Sequence, residues 1–109
     1  MKQYEIWWAS LPQPAGRRPV LLLSRNGAYS YLNRVAVSEV TTRVRNIPVE
    51  VSLGRVEGLQ APCVVNLDNI RTVPKGALTE KIGTLSKSRH RAVKRALGHA
   101  FEWDELVGL

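Results

Sequence analysis

Only one stretch of the chain repeats its apolar residues at helical period. In KSRHRAVKRALGHAF, residues Ala92, Val93, Ala96, Leu97, Ala100 and Phe101 fall on one face of a helix, and Ser86 stands where an N-cap is expected. Everything ahead of it is broken by proline, glycine and Asn-Gly into runs that read as strands. These runs are Tyr4–Trp8, Val20–Ser24, Arg34–Val40, the alternating Val49, Val51 and Leu53, Cys63–Leu67 and Ile70–Val73 on either side of an LDN kink, and Leu78–Leu85. Short strands at this spacing predict a mainly β fold with some α, either a small barrel or a strongly bent sheet, ending in a C-terminal helix. No repeat, low-complexity tract or Gly/Ser linker divides the 109 residues, so residues 1–109 are expected to form a single domain.

Charge narrows the partners. Sixteen Lys and Arg against nine Asp and Glu give a formal net charge of +7, and a small domain this basic is suited to a polyanion, most often nucleic acid. An acidic protein partner is the alternative. Lys87, Arg89, Arg91, Lys94 and Arg95 read as the solvated face of the helix, and Glu102, Asp104 and Glu105 follow as an acidic tail that could meet a basic patch. The longest apolar run, Val20–Leu23, is far too short to span a bilayer, and the N-terminal residues carry no apolar signal core. A cytoplasmic location is therefore expected. Cys63 is the one cysteine, which leaves no internal disulfide and no Cys-cluster zinc site.

The residue inventory also restricts the chemistry. There is no Gly-rich phosphate loop, no paired histidines with metal-ligand spacing, no clustered carboxylates and no Ser-His-Asp pattern. His90 and His99 point in different directions on the helix and read as surface residues, and Trp7 and Trp8 read as core, with stacking on unpaired bases the alternative for either. An enzyme built from this chain must work with Arg, Ser/Thr and Asp/Glu. Such a kit, needing neither metal nor cofactor, fits RNA transesterification: the substrate's own 2′-hydroxyl attacks, and the protein supplies positioning and charge.

Four segments, taken in order, are similar to one known family. YEIWWASL at Tyr4–Leu11, GRRPVLLLS at Gly16–Ser24, VAVSEVTT at Val35–Thr42 and VNLDNIRTV at Val65–Val73 resemble the MazF/PemK toxins, and LTEKIGTLS ahead of a helix fits their C-terminal part. The resemblance implies a compact SH3-like barrel of the CcdB/PemK type, acting as a homodimer. It also implies a sequence-specific, metal-independent endoribonuclease that cleaves single-stranded mRNA, leaves a 2′,3′-cyclic phosphate and a 5′-hydroxyl, and is inhibited by a cognate antitoxin protein. Carried onto this sequence, Arg18 before the strand's proline and Thr41 at the end of the third strand become the catalytic residues. Pro19 biases Arg18 towards extended backbone, and an arginine suits a phosphate clamp and proton donor better than a base.

Arg17, Arg25, Arg43 and Arg45 are then candidate phosphate contacts, with Thr42, Asp68 and Arg71 completing the expected RNA-binding set. Asp68 also reads as a turn residue or a partner for Arg71. The chain departs from the family pattern at Asn66, where one branch carries an arginine. It also lacks the usual glycine near the start, and its SLPQPAGR loop is short. Two alternatives remain at this stage: a non-catalytic CcdB-like inhibitor of DNA gyrase, and a basic RNA-binding module.

Overall fold

The structure is a computed structural model that describes residues Met1–Leu109. Six strands, all paired antiparallel, form one curled sheet: β1 (Glu5–Ser10), β2 (Arg17–Leu22), β3 (Arg34–Thr41), β4 (Glu50–Leu53), β5 (Cys63–Pro74) and β6 (Leu78–Thr84). Their order across the sheet is β4-β5-β3-β2-β1-β6. The edges β4 and β6 are not paired with each other. Instead, the 3-10 turn Arg55–Glu57 after β4 packs on β6, so close that Gly83 has no room for a Cβ. The result is an open half-barrel followed by α1 (His90–Phe101) and α2 (Asp104–Val107).

Both faces of the sheet are covered, which explains the unbroken apolar run in β2. Leu21 belongs to an inner core with Ile6, Val40, Val65 and Leu67, while Val20 and Leu22 belong to a second core with Val35, Val37 and Val73. Helix α1 closes the inner core by burying Val93 and Ala96. Full burial of a valine side chain contributes about 1.5 to 3 kcal/mol, enough to hold a basic, otherwise solvated helix on the sheet.

Several expectations need correction. The two short strands around LDN are one strand, β5, with a register shift: Ser38 pairs with Ile70, but Val40 pairs with Val65. The buried Ser38 hydroxyl bridges that shift by donating to the Asn66 carbonyl at 2.6 Å, which keeps the kink inside the ladder. Ser86 does not cap the helix. It precedes a 3-10 turn, Lys87–Arg89, and its Oγ meets Ser88 Oγ, so α1 starts only at His90. His90 is half-buried rather than on the surface, stacked on Tyr4. The acidic tail makes no ion pair. Asp104 and Glu105 instead open α2, whose backbone lies against Gly98 of α1. Neither Trp7 nor Trp8 is fully buried: Trp7 packs beside the second core and donates its indole N–H to Glu5, while Trp8 faces a cleft.

Candidate active site

The cleft opens where two paired strands part. The β2–β3 ladder runs from Leu22↔Val37 to Val20↔Glu39 and stops there. Continued past its end, the same register sets Arg18 opposite Thr41. Pro19 has no N–H with which to extend the pairing, and Arg18, Pro19, Val40 and Thr41 diverge to form the mouth of a cleft of about 580 Å3. Trp8 of β1, Gln60 in the loop before β5, and Ile82 of β6 complete its walls. A cleft of this size accommodates a nucleotide-sized ligand.

The polar groups at the mouth are only partly satisfied by the protein. Arg18 Nε donates to the Ala15 carbonyl at 3.2 Å and lies 4.0 Å from Glu39 Oε1, while its two terminal amino groups have no partner in the protein. Arg17 lays its guanidinium over the Trp8 ring, 4.0 Å from the centroid, and approaches Glu80 at 3.7 Å. Thr41 Oγ1 accepts the Arg43 N–H at 3.1 Å, so its own hydroxyl proton stays available. Cys63 lines the wall, but burial and then the Glu57 charge push its thiol pKa up, so it presents no thiolate nucleophile. No carboxylate or imidazole lines the cleft, and nowhere in the chain do three or more His, Cys, Asp or Glu gather to hold a metal ion.

Of the residues expected from sequence, the structure brings Arg17, Arg18, Thr41 and Thr42 together in the cleft. Arg43 and Arg45 are exposed on the segment leading away from it, with the Arg45 N–H bonded to Glu50. Arg25 lies elsewhere, bonded to the Tyr31 hydroxyl beside the 3-10 turn Asn26–Ser30. Asp68 is exposed at the β5 kink and its N–H is held by Asn66 Oδ1 at 2.8 Å, which is turn behaviour. Its anticipated partner Arg71 is bound to Glu39 instead, at 2.7 Å.

Trp8 and Glu39 also stand beside these groups, and neither is among the site residues expected from sequence. Trp8 could have been found from its cross-strand neighbour, since it pairs with Pro19. Glu39 gave no signal, because only the strand register shows which arginines it meets.

Unpaired guanidinium donors and a free hydroxyl at the splayed end of a curled sheet define a small basic β-protein with a cleft lined by arginine. A family model described as PemK-like, MazF-like toxin of type II toxin–antitoxin systems matches residues 2–101. The chain is 41% identical over 90 residues to endoribonuclease MazF3 of Mycobacterium tuberculosis, a match covering 83% of this chain and 87% of that protein. Among solved structures it is similar to Mycobacterium tuberculosis toxin MazF-mt6, with a TM-score of 0.85 and 39% identity, over 90% of this chain and 96% of that one. An endoribonuclease in complex with its cognate antitoxin, from mycobacterial species, matches with a TM-score of 0.81 and 25% identity, covering 94% of this chain and 95% of that one. The chain belongs to the PemK/MazF family of type II toxins.

Proposed function

We propose that this toxin is a sequence-specific, metal-independent endoribonuclease that cleaves single-stranded RNA through attack of the substrate's own 2′-hydroxyl. The observation that carries the reading is a juxtaposition on one cleft wall: an arginine with both terminal amino groups free and a threonine with a free hydroxyl proton. Relatives named as endoribonucleases support the choice of RNA. In this mechanism the 2′-oxygen bonds to phosphorus and the bond from phosphorus to the 5′-oxygen breaks, giving a 2′,3′-cyclic phosphate and a 5′-hydroxyl. Arg18 grips the non-bridging oxygens with its forked donors as their charge grows, and Thr41 adds one hydrogen bond. With no carboxylate or imidazole on the cleft wall, the 2′-proton leaves to water. In this reading Arg18 also hands a proton to the departing 5′-oxygen and regains one from water as the product leaves.

Trp8 and Arg17 flank the cleft, where the indole offers a stacking face and the guanidinium a backbone contact. Arg43 and Arg45 would extend the phosphate track. The protein acts in the cytoplasm as a homodimer and is silenced by a cognate antitoxin, in keeping with the antitoxin-bound relative.

Incubating the purified protein with a long single-stranded RNA in EDTA tests the reading. Discrete fragments ending in 2′,3′-cyclic phosphate are expected, and Arg18→Ala should lose them. Intact RNA would refute it.

A further inference from the structure

Glu39 is the one carboxylate close to the proposed catalytic arginine, and it does not line the cleft. Its side chain is 12% exposed and lies between two guanidinium groups at unequal distances: Oε2 is 2.7 Å from Arg71 Nη2, and Oε1 is 4.0 Å from Arg18 Nε. Strand geometry puts it there. Arg71 is paired with Val37, next to Glu39 on the same face of β3, and the β3–β5 register shift falls at Glu39 itself. On the other side, the β2–β3 ladder ends at the Val20↔Glu39 pair, two residues from Arg18 along β2.

The inequality decides what Glu39 does. A carboxylate closed on Arg18 in the bidentate manner would occupy the donors that a phosphate needs. Here Arg71 takes the short, charge-assisted bond, and Glu39 meets Arg18 only on the Nε side, where the Ala15 carbonyl also accepts. Arg18 is thus held from behind while its two amino groups stay unpartnered.

We infer that Glu39 is the positioning residue that aims Arg18 into the cleft, and that Arg71 keeps Glu39 from neutralising it. The kinetic consequences rest on the endoribonuclease reading, whereas the restraint on Arg18 does not.

The two partners should fail in different ways. Glu39→Gln keeps the shape but removes the charge, so Arg18 loses its electrostatic restraint. In RNA cleavage, kcat should fall about tenfold to a hundredfold, with KM unchanged or lower. Arg71→Gln frees Glu39 to close on Arg18 and occupy its donors, so kcat should again fall about tenfold with KM little changed, but in contrast to Glu39→Gln the Arg18 Nε–H should stay ordered.

The experiment combines those kinetics with 15N relaxation of the Arg18 Nε–H group in the RNA-free protein. Wild type should show an ordered Nε–H, and Glu39→Gln a mobile one. Combining Glu39→Gln with Arg18→Ala should cost no more kcat than Arg18→Ala alone. Should Glu39→Gln fold poorly, the Glu39→Met/Arg71→Met double variant replaces the ion pair by apolar groups, which proteins commonly tolerate; it should also mobilise Arg18. An Arg18 Nε–H equally ordered in wild type and in these variants overturns the inference, whether or not RNA is cut. Fully additive kcat losses, or kcat losses no greater than the loss of folded protein, overturn it as well. Failure of wild type to cut RNA would instead refute the endoribonuclease reading, leaving Arg18 order to decide the role of Glu39.

Discussion

His90 lies flat on Tyr4, with ring centroids 3.5 Å apart and planes 10° from parallel. The contact fastens the first turn of α1 to the entrance of β1. Tyr4 is a junction in its own right: its N–H donates to the Leu22 carbonyl, and its carbonyl accepts the Leu85 N–H. It holds φ at 72°, a left-handed conformation that costs a non-glycine residue about 1 to 2 kcal/mol and that these contacts must offset. The strands that carry the cleft are therefore tied to the start of the helix by this aromatic pair, in addition to the core contacts of Val93 and Ala96.

Removing one ring of that pair should be measurable. His90→Ala should destabilise the protein by about 1 kcal/mol, read from the urea midpoint. Combining it with Tyr4→Leu should cost less than the sum of the single changes. Strict additivity would show that the two rings do not support one another.

Stability should fall at both ends of the pH scale through two separate groups. Burial alone would raise the Glu5 pKa, but bonds from the Trp7 indole, the Lys2 N–H and the Lys81 ammonium outweigh it, so the value lies below the ordinary 4.5. The stability this provides is present above pH 4.5 and lost as pH falls through the lowered value. Tyr29 behaves in the opposite sense: burial, with the Glu5 charge, pushes its pKa up from 10.0 to about 12. Its contribution is intact below pH 10 and lost as pH rises towards about 12. Thermal melts across pH should show that Glu5→Gln flattens the acid limb and Tyr29→Phe the alkaline one. Unchanged limbs would mean that other groups control the titration.

The half-barrel's closure depends on a missing side chain. A Cβ on Gly83 would stand 2.0 Å from the Glu57 carbonyl oxygen, a backbone atom that cannot swing aside. Gly83→Ala should cost about 3 kcal/mol or more in denaturant unfolding. Gly76→Ala, with nothing within 4 Å of its added Cβ, should cost little. Similar costs at both positions would contradict the close approach of the Arg55–Glu57 turn to β6.

The sheet and the helix were legible because their burial follows periodicity. Leu21 alternates with Val20 and Leu22 between two cores, and Val93 and Ala96 recur on one face of α1. The LDN segment read as a break because its residues are turn formers, yet the Ser38 hydroxyl carries the ladder across it, a contact made by a residue far away in sequence. Arg18 and Thr41 stand out in the sequence only through the family-like motifs around them, and their meeting in one cleft is a matter of register. Trp8 was misread for a related reason: period-2 alternation assigns it a face without showing that β2 and β3 part beside it. Glu39 was invisible because its significance lies in two arginines on two other strands.

Arg17 should differ from Arg18 in kind. Its guanidinium rests on Trp8 and near Glu80, so it is suited to hold backbone rather than to act on the reacting phosphate. Arg17→Gln should weaken RNA binding and lower the slope of log affinity against log salt by about one, leaving saturated cleavage near the wild-type rate. A large loss of kcat with an unaltered salt slope would place Arg17 in the chemistry.

The most direct test of the account is the single-turnover cleavage rate of one RNA by wild type, Arg18→Ala and Arg18→Lys, at saturating protein in EDTA. Loss of transition-state charge stabilisation predicts a fall of about a hundredfold or more for Arg18→Ala, with binding largely kept. Arg18→Lys should recover only part of the rate, since an ammonium cannot reproduce the planar fork. Cleavage by Arg18→Ala at the wild-type rate would show that Arg18 takes no part in the chemistry.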